Sequence, residues 1–299
     1  MASLVESNLY SYFQRVMTTL RWSGLALRNA VGDLMQESAK HLREYTENLA
    51  GSGVRFFTTD EAVDHLNAGP VAVRAQIRRL REKGAIATPM KSFHLIVPPE
   101  YRTLGCLPAE QFIDPMMRRL AQPYYVGLLS AAERHGAAHQ RPQAFQVMTS
   151  VNRRPIECGR VRIAFIARRH IQRVPNATIS APTGYVQYST PEATALDLVG
   201  YPNHAGGLGN VATVLSELAD AIDAEKLVIA ASVSPLAWSQ RLGYLLDRLG
   251  HFSRTAPLAD FVAVRARSDA LLRRARKGAP SIRHAKWKLL VNTDVEPDE

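Results

Sequence analysis

Between Arg74 and Lys91 the chain places six basic residues (Arg74, Arg78, Arg79, Arg81, Lys83, Lys91) against one acid, Glu82. A guanidinium is a planar fork of donors that can engage guanine O6 and N7 together, or clamp a phosphate. Such a run therefore points to nucleic acid, against the alternative of a solvated helix face used in protein contacts. A second cluster, Arg153, Arg154, Arg160, Arg162, Arg168, Arg169 and Arg173, meets only Glu157. It is read as phosphate contacts extending a DNA footprint, with an acidic protein face or a solvated strand face as alternatives. Arg265, Arg267, Arg273, Arg274, Arg276 and Lys277 read as a solvated helix face. The whole chain of 299 residues carries 37 Lys plus Arg against 27 Asp plus Glu, a net charge of +10 that favours polyanionic partners.

Other chemistries find weaker support. His135 and His139 stand four residues apart, as helical zinc ligands do, but Gly136 follows the first and no H-E-x-x-H glutamate is present. No metal and no cofactor is expected. Gly207-Leu208-Gly209-Asn210-Val211-Ala212 fits a loose dinucleotide pattern, yet the strand such a loop must follow is missing, so a turn leading into a helix is the reading. Glu192 and Asp197, five residues apart on one helix, diverge by about 140° and form no acid/base pair. Glu192 is expected to favour its helix N-terminus. Without a catalytic constellation, the chain reads as a binding protein and not an enzyme.

The basic run must be held by structure. Val73, Ile77 and Leu80 recur at i, i+4 and i+7, so a helix from Pro70 to Lys83 would bury that stripe. Val71, Arg74, Ala75 and Arg78 would then lie on another face. Before it, Val31 to Ala50 reads as a helix. Thr58-Thr59-Asp60 supplies caps for a short second helix, and Asn67-Ala68-Gly69 makes the turn. After Gly84, residues Ala85–Thr88, Pro89–Ser92 and Phe93–Val97 read as strand, turn and strand. This order is a winged helix-turn-helix. The expected DNA contacts are Arg74, Arg78 and Arg79, with Val71 and Ala75 permitting close approach and Thr58, Thr59 and Lys91 on phosphates.

Beyond Pro108, helical and strand-like stretches alternate. Helices are expected over Ala109–Ala121, Tyr124–His135, Pro191–Leu198, Asn210–Ile222, Ala224–Ala231 and Pro235–Leu249. Strands are expected at Phe145–Met148, Arg160–Phe165, Tyr185–Tyr188 and Trp287–Val291. The fold class is α+β: an N-terminal helical arm (1–30), a winged helix-turn-helix (31–100) and a larger mixed α/β C-terminal domain (108–299). Cys106 and Cys158 form no ligand spacing and read as buried thiols in a reducing compartment. With no signal peptide and no apolar run long enough for a membrane span, a cytoplasmic location is expected.

Three segments resemble the AbiEi family of antitoxins: Tyr124-Tyr125-Val126-Gly127-Leu128-Leu129-Ser130-Ala131-Ala132-Glu133-Arg134-His135-Gly136, Ser189-Thr190-Pro191-Glu192-Ala193-Thr194-Ala195-Leu196-Asp197-Leu198, and Gln240-Arg241-Leu242-Gly243-Tyr244-Leu245-Leu246-Asp247. The resemblance implies an antitoxin of a type IV toxin–antitoxin system that counteracts an AbiEii-like nucleotidyltransferase toxin. It also implies repression of the chain's own operon by two copies on operator inverted repeats of double-stranded DNA. The 153–173 arginines could then meet either that DNA or an acidic face of the toxin. The residues before Val31 have no counterpart in the family, and the turn Pro89-Met90-Lys91-Ser92 lacks its usual glycine. A stand-alone winged-helix regulator with a ligand-sensing C-terminal domain is the alternative.

Overall fold

Residues 41–137, 142–273 and 280–296 are described by a computed structural model of the chain. The expected arm (1–30), the first half of the 31–50 helix, His139, Arg274, Arg276 and Lys277 lie outside the described residues.

The N-terminal part follows the expected order. Helix α1 (41–51) leads to strand β1 (Phe56–Thr58), helix α2 (Thr59–Leu66), helix α3 (Pro70–Glu82) and the hairpin β2 (Ile86–Met90) and β3 (Phe93–Ile96). The three strands form an antiparallel sheet in the order β1-β3-β2. Thr58 caps α2 reciprocally with Glu61: its hydroxyl accepts from the Glu61 amide at 3.1 Å, and the Glu61 carboxylate accepts from the Thr58 amide at 2.7 Å. Asn67 ends α2 in the left-handed region with φ 46°, which its short polar side chain tolerates. Pro70 then opens α3, where its missing N–H costs nothing. A small core of Leu42, Phe57, Ala62, Val73, Ile77, Ile86 and Ile96 closes this unit, with Leu80 packed half-buried against it.

The hairpin differs from its expected form. Strand β2 runs on through Pro89 and Met90, and the turn is Lys91-Ser92, closed by pairing of Met90 with Phe93. Ser92 takes the positive φ of 61° that a glycine usually adopts in such a turn. The register shifts between Ala87 and Met90, and Pro89, with no N–H to offer a ladder, sits within that irregularity.

The C-terminal part is built on a six-stranded mixed sheet of order β6-β7-β5-β4-β9-β8. Its strands are β4 (Tyr124–Val126), β5 (Phe145–Thr149), β6 (Ile156–Cys158), β7 (Val161–Ala167), β8 (Asn176–Ala181) and β9 (Gly184–Ser189). β5 with β7 and β4 with β9 are parallel; the other neighbours are antiparallel. Helices α4 (Ile113–Arg119) and α5 (Leu128–Arg134) come early in this part. After the sheet come α6 (Pro191–Gly200), α7 (Leu208–Leu218), α8 (Ala224–Ser232), α9 (Leu236–Arg248) and α10 (Phe252–Arg265), and then a small sheet of β10 (Ala270–Leu271), β11 (Ile282–His284) and β12 (Leu289–Val291). Two expected helices are corrected. Tyr124–Val126 is a strand, and the helix begins only after Gly127, whose missing Cβ would lie 2.7 Å from Met148 Cγ. The Ala109–Ala121 stretch is a 3-10 turn followed by α4, broken at Phe112, whose φ is −137°. Among the described residues no helix is long and apolar enough to cross a membrane.

Candidate nucleic-acid interface

Helix α3 buries Val73, Gln76 and Ile77 and turns a different set outward. Val71 is 74% exposed, Arg74 and Arg78 are exposed, and Ala75 is half-buried beside them. Arg78 Nε stands 3.9 Å from Glu82 across one turn, with both side chains in solvent, where such a pair contributes little. Arg79 is half-buried. Lys91 projects exposed from the tip of the wing. The exposed face is therefore cationic, with small or apolar residues between the charges, and it tops a helix that fits a major groove.

Two expected contacts are corrected. Thr58 is 6% and Thr59 9% exposed. The Thr58 hydroxyl is consumed by the cap of α2, and the Thr59 hydroxyl meets His94 Nε2 at 2.9 Å. Neither is presented to a phosphate. His94 itself, which carried no signal in the sequence, joins Thr59 on one side to Thr88 Oγ1 at 3.0 Å on the other. Burial, assisted by the charge of Arg81, pushes its imidazole down to about 4, so the ring is neutral at ordinary pH. All of β3 is buried because the wing has a second core behind it: Ala87, Phe93, Leu95 and Val97 pack with Cys106, Leu107, Phe112, Ile113, Met116 and the large sheet.

The second arginine cluster is only partly a surface. Arg154, Arg160, Arg162, Arg169 and Arg173 are exposed, and Arg162 pairs with Glu157 at 3.4 Å. Arg153 is half-buried. Arg168 does not belong to the surface: it is 2% exposed, donates from Nε to Asp197 Oδ1 at 2.9 Å and from Nη2 to Ser234 Oγ at 2.9 Å, and lies 4.5 Å over the Trp238 ring. Tyr125 donates to the other oxygen of Asp197 at 2.6 Å. Burial pushes the Asp197 carboxyl up, opposed by the Arg168 charge and the two donors. The alternation of β7 ends at Phe165, with Ile166 buried next to it, and Arg168 turns inward towards a carboxylate 29 residues away, which periodicity cannot show.

The remaining polar motifs are also structural. Glu192 accepts from the backbone N–H of Asp223 at 3.0 Å, fixing the start of α8. His135 Nε2 lies 2.8 Å from Ser189 O, and among the described residues no three His, Cys, Asp or Glu side chains form a metal-binding group. Gly207 is the N-cap of α7 with φ 101° and follows a 3-10 turn, as a turn into a helix would. Gln240 ties the Ser268 and Lys288 carbonyls, and Asp247 accepts from Trp287 Nε1 at 2.7 Å, Lys286 Nζ at 2.6 Å and Thr255 Oγ1 at 2.6 Å.

These stitches hold one continuous stretch of sequence together, and residues 125–248 of it match the family model described as the AbiEi antitoxin C-terminal domain. This segment is thus similar to the C-terminal domain of AbiEi antitoxins. That similarity supports an antitoxin role of the toxin–antitoxin kind. Within it, the Tyr125–Asp197 bond joins the first and second of the segments noted in the sequence, while the third anchors the small sheet through Gln240 and Asp247. The same fold is seen in the crystal structure of the RV2827C protein from Mycobacterium tuberculosis: the match has a TM-score of 0.60 and 18% identity, and covers 82% of this chain and 89% of that one. Comparison with curated proteins finds no significant match.

Proposed function

We propose that this AbiEi antitoxin counteracts an AbiEii-like nucleotidyltransferase toxin and represses its own operon, two copies binding operator inverted repeats through α3. The observation that carries this reading is the division of α3: Val73 and Ile77 hold it in its core while Val71, Arg74 and Arg78 face solvent. Arg74 and Arg78 would meet base edges or phosphates, Val71 and Ala75 would allow close approach, and Arg79 and Lys91 would contact phosphates. Arg154 precedes β6, Arg160 lies in the turn between β6 and β7 and Arg162 on β7, and β6 packs beside the wing strand β2, so they favour a phosphate footprint that continues past the wing.

A mobility-shift series tests this on the chain's own promoter. If Arg74 engages a guanine bidentately, Arg74→Ala costs about 1–3 kcal/mol on operator DNA and relaxes specificity at one position. If it holds only phosphate, affinity falls evenly on operator and scrambled DNA and the salt slope shrinks by about one contact. Unchanged binding to both removes Arg74 from the interface. Expressed from an unrelated promoter, the Arg74→Ala/Arg78→Ala chain is expected to rescue growth against the toxin while failing to shift the operator.

A further inference from the structure

The chain's only two cysteines, 52 positions apart, are brought together at a backbone crossing. The Arg160 amide donates to Leu104 O at 2.8 Å, and Gly159 lies so close to Gly105 that a Cβ on it would stand 2.3 Å from Leu104 O and 2.9 Å from Gly105 Cα. Only glycine allows that approach, and both glycines take positive φ, 71° at Gly105 and 59° at Gly159. With 104 against 160 and 105 against 159, the next residues to meet are Cys106 and Cys158, which share one buried cluster.

We propose that this pair is a modification site: a peroxide oxidises Cys106 and Cys158 to an intramolecular disulfide that ties the segment following the wing to the edge strand β6. Cys158 is the sulfur that reacts first. It retains 7% exposure where Cys106 has none. The Cys106 thiol and the Thr88 amide both donate to it, which holds the Cys158 thiol below its ordinary range, while the same bond and burial push the Cys106 thiol up. The Cys158 thiolate attacks one oxygen of hydrogen peroxide and the O–O bond breaks. Sulfur keeps one oxygen as sulfenic acid, and the other leaves as hydroxide, which takes up the Cys158 proton as water. Cys106 then attacks the Cys158 sulfur, and the S–O bond breaks with loss of hydroxide, which leaves as water with the Cys106 proton. Two thiols and one peroxide give one disulfide and two waters, a two-electron oxidation of the protein. The disulfide sulfur is a poorer acceptor than the thiolate, so Thr88, on wing strand β2, loses its partner. This inference does not depend on the DNA-binding reading.

The test uses the full chain, reduced, freed of reductant and treated with hydrogen peroxide, then denatured, alkylated and weighed intact. The expected product is a monomer that has lost two hydrogens, carries no alkyl group and regains both thiols with dithiothreitol. In Cys106→Ser a dimedone probe labels Cys158, whereas in Cys158→Ser the Cys106 thiol stays unreacted. Hydrogen exchange at the Thr88 amide loses protection on oxidation of the natural chain and not of either variant. Two alkylatable thiols surviving a peroxide dose that oxidises free cysteine, a disulfide-linked dimer, or dimedone on Cys106 in Cys158→Ser would overturn the pair. Unchanged Thr88 exchange in the fully oxidised chain would overturn its reach into the wing.

Discussion

His94 lies between the hydroxyls of Thr59 and Thr88 with its ring held neutral by burial, its pKa lowered from 6.5 to about 4. As pH falls, the unfolded chain takes up this proton before the folded one does. The neutral ring's contribution is therefore complete above 6.5 and is lost as pH falls through that value towards about 4. The expected loss is about 1–3 kcal/mol of folding free energy, read by urea denaturation at pH 7 and at pH 4.5. His94→Gln should flatten the difference; an unaltered pH dependence in that variant would place the sensitive group elsewhere. Asp197 poses a different problem, because it is a charge out of water with Arg168 as its counter-ion, both almost fully buried. Removing one partner strands the other, so Asp197→Ala is expected to cost about 3–5 kcal/mol, and Arg168→Met in the same chain should recover part of it. A double-variant cycle in thermal unfolding measures this; strict additivity would mean the two do not act as a pair. Neither residue announced its role in the sequence. Arg168 looked like one more surface arginine, and Asp197 looked like a lone carboxylate on a helix, because a pairing across 29 residues leaves no periodic trace. By contrast the outward placing of Arg74 and Arg78 was readable, since it follows from the spacing of Val73, Ile77 and Leu80 on their own helix.

Elements were legible where local chemistry decides them and illegible where a distant neighbour does. The cap at Thr58, the Asn67 turn, Pro70 at the start of α3 and the strand β7 all follow from residues within a few positions of each other. Tyr124–Val126 does not: its Leu- and Ala-rich sequel pulls it towards helix, but parallel pairing with β9 and antiparallel pairing with β5 make it a central strand. Strand β8 gave too weak a pattern to be expected because it is a polar edge, and helix α10, interrupted by Pro257, ends at Arg265, so Arg267 and Arg273 do not stand on the helix face expected of them. Helix α9 shows how a glycine serves packing: a Cβ on Gly243 would lie 2.2 Å from Trp287, a ring fully buried and held by Asp247. Gly243→Ala is therefore expected to destabilise the chain by about 1–3 kcal/mol, although alanine is the better helix former. Thermal unfolding followed by Trp fluorescence would show it, and a neutral or stabilising result would mean that the ring has room to move.

At the scale of the whole molecule, the wing is the structural joint. Its sheet has Phe57, Ile86 and Ile96 in the core beneath α3 and Phe93, Leu95 and Val97 in the core beneath the large sheet. Alternate residues of β3 thus serve different cores, the consequence of a period-two strand covered on both faces. A hairpin in this position cannot loosen from one side without exposing apolar area on the other, so the two cores should melt together. Leu95→Ala, at a fully buried site, removes side-chain volume from the second core alone and is expected to cost about 2–5 kcal/mol. If the joint transmits this loss, unfolding stays a single transition, and amide exchange in α3 speeds up in step with exchange in β5. If the cores were independent, β5 would lose protection while α3 kept its own. The same geometry predicts that a fragment of residues 108–299 is less stable than that region within the full chain, because removal of Ala87, Phe93, Leu95 and Val97 bares the face of Phe112, Met116 and their neighbours. An antitoxin assay on that fragment alone would confuse lost folding with lost function, whereas full-length variants altered on the exposed face of α3 leave both cores intact and separate the proposed operator binding from toxin rescue.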